Sequence, residues 1–146
     1  MKEFLLVELI GNPEIEVRQV MPEDDKQTVK DKNKKPFKTN KSALIKVYYH
    51  DSEGKETKKI ISNPTNYTYD GASIPFKIGK GNMKLLIPAL FHDLMCEDKS
   101  RIDFNRNLSS KIFKDLLIQC KVSDLTAEIM YLAVDTYQRF MKGWKS

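Results

Sequence analysis

Cysteine is scarce in this 146-residue chain: Cys96 and Cys120 are the only two, with no Cys-x-x-Cys spacing. A disulfide framework would need more of them and a secreted context, so both read as buried free thiols acting as small hydrophobes. His50 and His92 are too few for a histidine-rich metal centre, although one joined to carboxylates would serve in a site. With Gly11, Gly54, Gly71, Gly79, Gly81 and Gly143 the only glycines, there is no Walker or Rossmann loop. The longest apolar run, Leu85 to Phe91, is seven residues. A spanning helix needs roughly 20, so membrane insertion is excluded. The N-terminal Met-Lys-Glu-Phe-Leu-Leu-Val-Glu interrupts its apolar run with Glu8 and lacks a small-residue cleavage site. No signal peptide is read there, and the chain is expected to stay in the cytoplasm where it is made.

Arginine is also rare. Arg18, Arg101, Arg106 and Arg139 are four of 25 basic residues, the other 21 being lysine. The net charge of +5 is unevenly placed, because Glu23 to Lys41 holds seven lysines against Glu23, Asp24, Asp25 and Asp31, a local excess of +3. Nucleic-acid readout would join such charge to arginines or stacking aromatics, and this segment has no arginine and only Phe37. A solvated lysine-rich loop is the simpler reading, and nucleic acid is not expected as a partner.

What remains is a chain of 40 % apolar and 31 % charged residues with mean hydropathy −0.50, the balance of one soluble globular domain. Residues 1–69 read as mainly strands. Phe4 to Ile10 is a β-rich apolar run, and Glu14 to Val20 carries Ile15, Val17 and Val20, the two forming a hairpin around Gly11-Asn12-Pro13. Met21 to Ser42 lacks apolar periodicity and is expected to be a long loop. Ala43 to His50 and Thr57 to Ser62 form a second hairpin about Asp51-Ser52-Glu53-Gly54, and Tyr67 to Tyr69 is a further short strand.

Residues 83–143 read as helices. Met83 to Cys96 carries Leu86, Leu90 and Leu94, with Pro88 either starting or kinking it. Asp103 to Cys120 sets Leu108, Ile112 and Leu116 on one ridge. Ser123 is the expected N-cap of a last helix that carries Leu125, Ile129 and Leu132, with Tyr137 and Met141 on a neighbouring stripe. That broad apolar arc places the last helix near the centre of the core. Strands followed by helices give an α+β class: a small antiparallel sheet from N-terminal hairpins, packed with a C-terminal three-helix unit.

Two stretches carry candidate chemistry. In Tyr69-Asp70-Gly71-Ala72-Ser73-Ile74-Pro75, Gly71 permits close backbone approach, Asp70 and Ser73 can accept from turn amides, and Pro75 restrains what precedes it. The bland alternative is a turn that caps itself. In Pro88-Ala89-Leu90-Phe91-His92-Asp93, adjacent helical residues point about 100° apart, so His92 and Asp93 cannot both face one small ligand. A His-Asp pair is similar to that of metal-dependent phosphohydrolases, but the remaining ligands would have to be His50 and Asp135. A serine triad lacks its Gly-x-Ser-x-Gly elbow.

In order, Asp70-Gly71-Ala72-Ser73-Ile74-Pro75, then Pro88 through His92-Asp93, then an arginine-led helix resembles a family of small phage and prophage proteins of unknown function. The resemblance covers roughly residues 67–144. The family pattern has tyrosine where this chain has Cys96, and an aspartate in Arg-x-x-Ala-Asp-x-x-Phe where Arg106-Asn107-Leu108-Ser109-Ser110-Lys111-Ile112-Phe113 has Ser110. Asp103 is a poor geometric substitute, about two helical turns earlier.

The resemblance implies a phage context, with the host cytoplasm and the virion as locations, and no established activity. Two functions follow. The first is an accessory or virion-associated protein that binds other phage proteins. The second is a small hydrolase of cell-wall material or a nucleotide. In it Asp70 and His92 would act as acid/base groups or as ligands of a divalent metal, Asp93 as orienter, and Ser73, Arg106 and Ser110 as polar contacts. No other cofactor is expected.

Overall fold

The computed structural model describes residues 2–70, 84–97 and 105–141. Strands β1 (Glu3–Ile10), β4 (Leu44–His50) and β5 (Glu56–Ser62) form one antiparallel sheet in the order β1-β4-β5. Strands β2 (Ile15–Val17), β3 (Phe37–Thr39) and β6 (Thr68–Tyr69) form another in the order β2-β3-β6. Helix α1 (Lys26–Lys34) lies among the strands, and α2 (Leu86–Glu97), α3 (Arg106–Gln119) and α4 (Asp124–Met141) follow them. The α+β class is as expected, with two small sheets in place of one.

Alternation builds the larger sheet. Ile45, Val47 and Tyr49 of β4 are buried, while their neighbours in sequence face outward. β4 pairs with β5 from Leu44↔Ser62 to His50↔Glu56, as the second hairpin requires. Its turn is closed by Asp51 Oδ1, which accepts from the Glu53 and Lys55 amides, and by Gly54 at φ +82°. The outer edge of β1 is not left open. The Val7 amide donates to Asp115 Oδ2 at 3.3 Å, and Gln119 Nε2 donates to the Val7 carbonyl at 2.5 Å. Helix α3 thereby covers backbone groups that would otherwise template another strand.

The first expected hairpin does not form: β1 pairs with β4, and β2 pairs with β3 in the other sheet. Gly11 at φ +87° and Glu14 at φ +48° bend the chain away, with the Glu14 amide donating to Asn12 Oδ1 at 2.9 Å. The Pro13 carbonyl is then taken by the Asn40 and Lys41 amides, which steers β2 onto β3.

Nor is Met21 to Ser42 a long loop, since it contains α1 and β3. Asp25 caps α1, its Oδ1 accepting from the Thr28 amide at 2.7 Å. The helix buries no residue, so hydrophobic periodicity had nothing to register there. It is fastened by ion pairs from Lys32 to Asp24 at 2.7 Å and from Arg18 to Asp31 at 3.0 Å.

The two sheets are clasped by Asn63, which is 1 % exposed. Its Oδ1 accepts from the Ala43 amide at 3.0 Å, and its Nδ2 donates to the Lys41 and Pro64 carbonyls at 2.9 Å each. Those groups lie on the two segments that cross between the sheets. Asn63→Ala strands the buried Ala43 amide and is expected to cost about 2–3 kcal/mol in urea unfolding. A loss below about 0.5 kcal/mol would show that water replaces the clasp.

Buried residues of both sheets, α2, α3 and α4 form one hydrophobic cluster. Pro88 sits in the first turn of α2, where its missing amide costs nothing, so it helps start the helix. Asn105 caps α3 through the Leu108 amide at 2.8 Å. At the far end Lys121 takes φ +71° and the Val122 amide returns to the Leu117 carbonyl at 3.0 Å. Ser123 then caps α4 as expected, its Oγ accepting from the Thr126 amide at 3.3 Å.

The last helix corrects the sequence reading. Leu125, Ile129 and Leu132, the expected core stripe, are 72, 56 and 55 % exposed. Ala127, Met130, Val134 and Gln138 on the opposite side are buried instead. α4 lies at the edge of the core, with small Ala127 and Val134 allowing close approach to α3. Both cysteines are half-buried, and neither is in a disulfide.

Candidate functional site

The candidate residues gather where β6, α2, α3 and α4 meet, but they divide into three groups. The first surrounds the β6 tyrosines. Tyr69 is buried and donates to the Leu86 carbonyl at 2.9 Å, tying β6 to the start of α2. Tyr67 stacks on it at 6.0 Å and donates to Glu97 Oε2 at 2.7 Å. Burial pushes both phenols far above the ordinary tyrosine range, with the Glu97 carboxylate adding to the effect at Tyr67. Both therefore remain protonated donors. Asp93 bears electrostatically on both phenols and Asp70 on Tyr67. Asp70 is exposed at the end of β6, whereas Asp93 is 5 % exposed.

The second group centres on His92, which is fully buried. Its ring lies against Phe113 of α3 at 5.2 Å between centroids, tilted by 55°. Its Nδ1 is 3.8 Å from Cys96 Sγ, one helical turn on, and Cys96 Sγ in turn donates to Gln138 Oε1 at 3.8 Å. Burial holds the imidazole far below the ordinary value, at about 3, so it is neutral at physiological pH. His92 thus packs against α3 while Asp93 bears on β6, the divergence that adjacent helical positions impose.

The third group is an ion pair between helices. Arg106, 7 % exposed in the first turn of α3, contacts Asp135 Oδ1 of α4 through Nη1. Asp135 also has Arg139 Nη2 at 4.0 Å. Ser110 turns inward on its own helix, its Oγ donating to the Arg106 carbonyl at 3.0 Å. Among the described residues, Arg106 Nε and Ser109 Oγ are buried with no hydrogen-bond partner. Ser73 and Asp103 lie outside the described residues.

Several members were not read from sequence: Tyr67 with Glu97, Gln138, and the pairing of Arg106 with Asp135. The i, i+4 spacing of His92 and Cys96 is the one local signal that could have joined two of them. No three His, Cys, Asp or Glu side chains among the described residues gather closely enough to hold a metal ion. His50 is at the end of β4, and Asp135 is committed to Arg106.

Part of the lysine-rich segment is paired locally. An open groove of about 450 Å³ is lined in part by Arg18, Lys32 and Lys38, and these pair with Asp31, Asp24 and Glu16. The pairs of Lys32 and Arg18 fasten α1. No helix among the described residues is long and apolar enough to cross a membrane.

The molecule is thus an α+β domain with a buried polar seam between its helices. The chain belongs to DUF1353, a family of proteins of unknown function, which it matches over residues 45–134. No curated protein and no solved structure matches it. The matched segment runs from β4 into α4 and contains Asp70, Ser73, His92, Asp93, Arg106 and Ser110.

Proposed function

We propose that this protein works by binding other proteins, as a phage-encoded accessory or virion-associated component. The supporting observation is α4, which is apolar on two opposite faces: one lies in the core, and the other presents Leu125, Ile129, Leu132 and Phe140 to solvent. An outward face of that kind is a contact surface. The sequence resemblance to phage and prophage proteins supplies the biological setting.

The alternative hydrolase needs Asp70 and His92 to converge on one substrate. Asp70 is exposed, whereas His92 is sealed between α2 and α3 and held neutral by burial. That favours a positioning role for His92 within the helical layer. The test is recovery of tagged protein from phage-infected cells and from purified particles. A stable complex that survives chelation and is lost in Leu132→Glu is expected. Particles and pull-downs that both lack a protein partner would overturn the proposal.

A further inference from the structure

We infer that the outer face of α4 is covered by a second copy of this chain, lying antiparallel across it. The inference deepens the binding proposal by naming the first partner of the same surface. At about 100° per residue, Leu125, Ile129, Leu132 and Phe140 fall within an arc of about 80°. Ala127, Met130, Val134 and Gln138 occupy the opposite side, so this second stripe is independent of the core. The four exposed residues are 72, 56, 55 and 74 % accessible. At about 200 Å² for a large apolar residue, they offer roughly 500 Å² per copy, or about 1,000 Å² for a pair, the size at which a specific interface begins.

The register and charges fit an antiparallel twofold. With the axis passing between Leu132 and Ala133, Leu125 of one copy meets Phe140 of the other, and Ile129 meets Thr136. Antiparallel packing about such an axis brings each flank of the helix against the same flank of its partner. One flank carries the exposed Asp124 near the N-terminal end and Arg139 near the C-terminal end, while Glu128 and Asp135 on the same flank pair with Lys114 and Arg106 of α3. In this register Arg139 of the second copy falls level with Thr126, within reach of the exposed Asp124. A parallel pair would instead bring this flank against the partner's opposite flank, where Thr126, Ala133 and Tyr137 offer no charge to pair with it. Arg139 is available for this contact, since it is 57 % exposed and 4.0 Å from its own Asp135.

The full chain should sediment as a dimer of about twice 16.9 kDa at micromolar to submillimolar concentration. Leu132→Glu sets two carboxylates beside the axis and should give a monomer with an unchanged circular-dichroism spectrum, because Leu132 is exposed within one copy. Arg139→Glu should weaken dimerisation at least tenfold, and adding Asp124→Arg should recover most of that loss. A wild-type chain that stays at 16.9 kDa throughout, or a dimer that Leu132→Glu leaves intact, overturns the inference. A monomer that still enters phage complexes would overturn self-association alone and leave the face to a foreign protein. Absence from those complexes would count against the broader proposal.

Discussion

Arg106→Ala is expected to destabilise the protein by about 3–5 kcal/mol, the typical cost of removing one partner from a buried ion pair. Asp135, whose side chain is 15 % exposed, would keep a carboxylate in the seam with Arg139 as its nearest cation at 4.0 Å. Asp135→Ala should cost at least as much, because a guanidinium cannot shed its charge by deprotonation. Replacing both partners with apolar residues of similar volume, Arg106→Met with Asp135→Leu, should recover most of the loss. Urea midpoints with an unchanged m-value would measure this, and simple addition of the two single losses would show that the groups are not coupled. The pair matters beyond stability because it clamps the start of α3 to α4. Losing it frees the helix whose other face carries Leu125 through Phe140, so a variant that folds should also bind less well.

Much of the architecture was legible because it rests on local periodicity. The β4–β5 hairpin follows from Ile45, Val47 and Tyr49 alternating ahead of Asp51 and Gly54, and the structure forms that hairpin. The cap by Ser123 and the placing of Pro88 in the first turn of α2 rest on similarly local rules. The misreadings arise where non-local contacts decide. Helix α1 buries nothing and is held by Asp25, Asp24 and Arg18, so no apolar pattern marks it. β2 joins the second sheet because the Pro13 carbonyl is engaged by Asn40 and Lys41, nearly thirty residues away in sequence.

On α4 two apolar stripes compete, and sequence alone does not say which faces inward. The Leu125–Ile129–Leu132 stripe has the larger side chains, yet Ala127 and Val134 on the other side permit closer approach to α3. The candidate site shows the same division. The divergence of His92 and Asp93 is helix geometry and was readable. The meeting of Arg106 with Asp135 depends on how α3 packs on α4, and no spacing rule specifies it.

His92 should give the protein a distinctive acid response. Its folded value near 3 lies below the unfolded value of 6.5, so the unfolded chain takes up a proton that the folded chain refuses. The contribution is fully present above pH 6.5 and is lost as pH falls from there towards about 3, at roughly 1.4 kcal/mol per pH unit. Carboxylates also titrate in this window, so the diagnostic is a difference between proteins. His92→Gln removes the ionisation while keeping a polar side chain beside Cys96. Whatever the variant loses at pH 7.5, the gap should close by about 2–3 kcal/mol on reaching pH 4.5, read from urea unfolding at intermediate steps. Parallel stability curves would mean that His92 titrates normally in the folded chain. Such an imidazole would be poised for acid–base work near neutrality, and the hydrolase would then displace the binding protein as the better reading. Converging curves tie His92 to the packing of α2 on α3, the layer that supports the face of α4 assigned to binding.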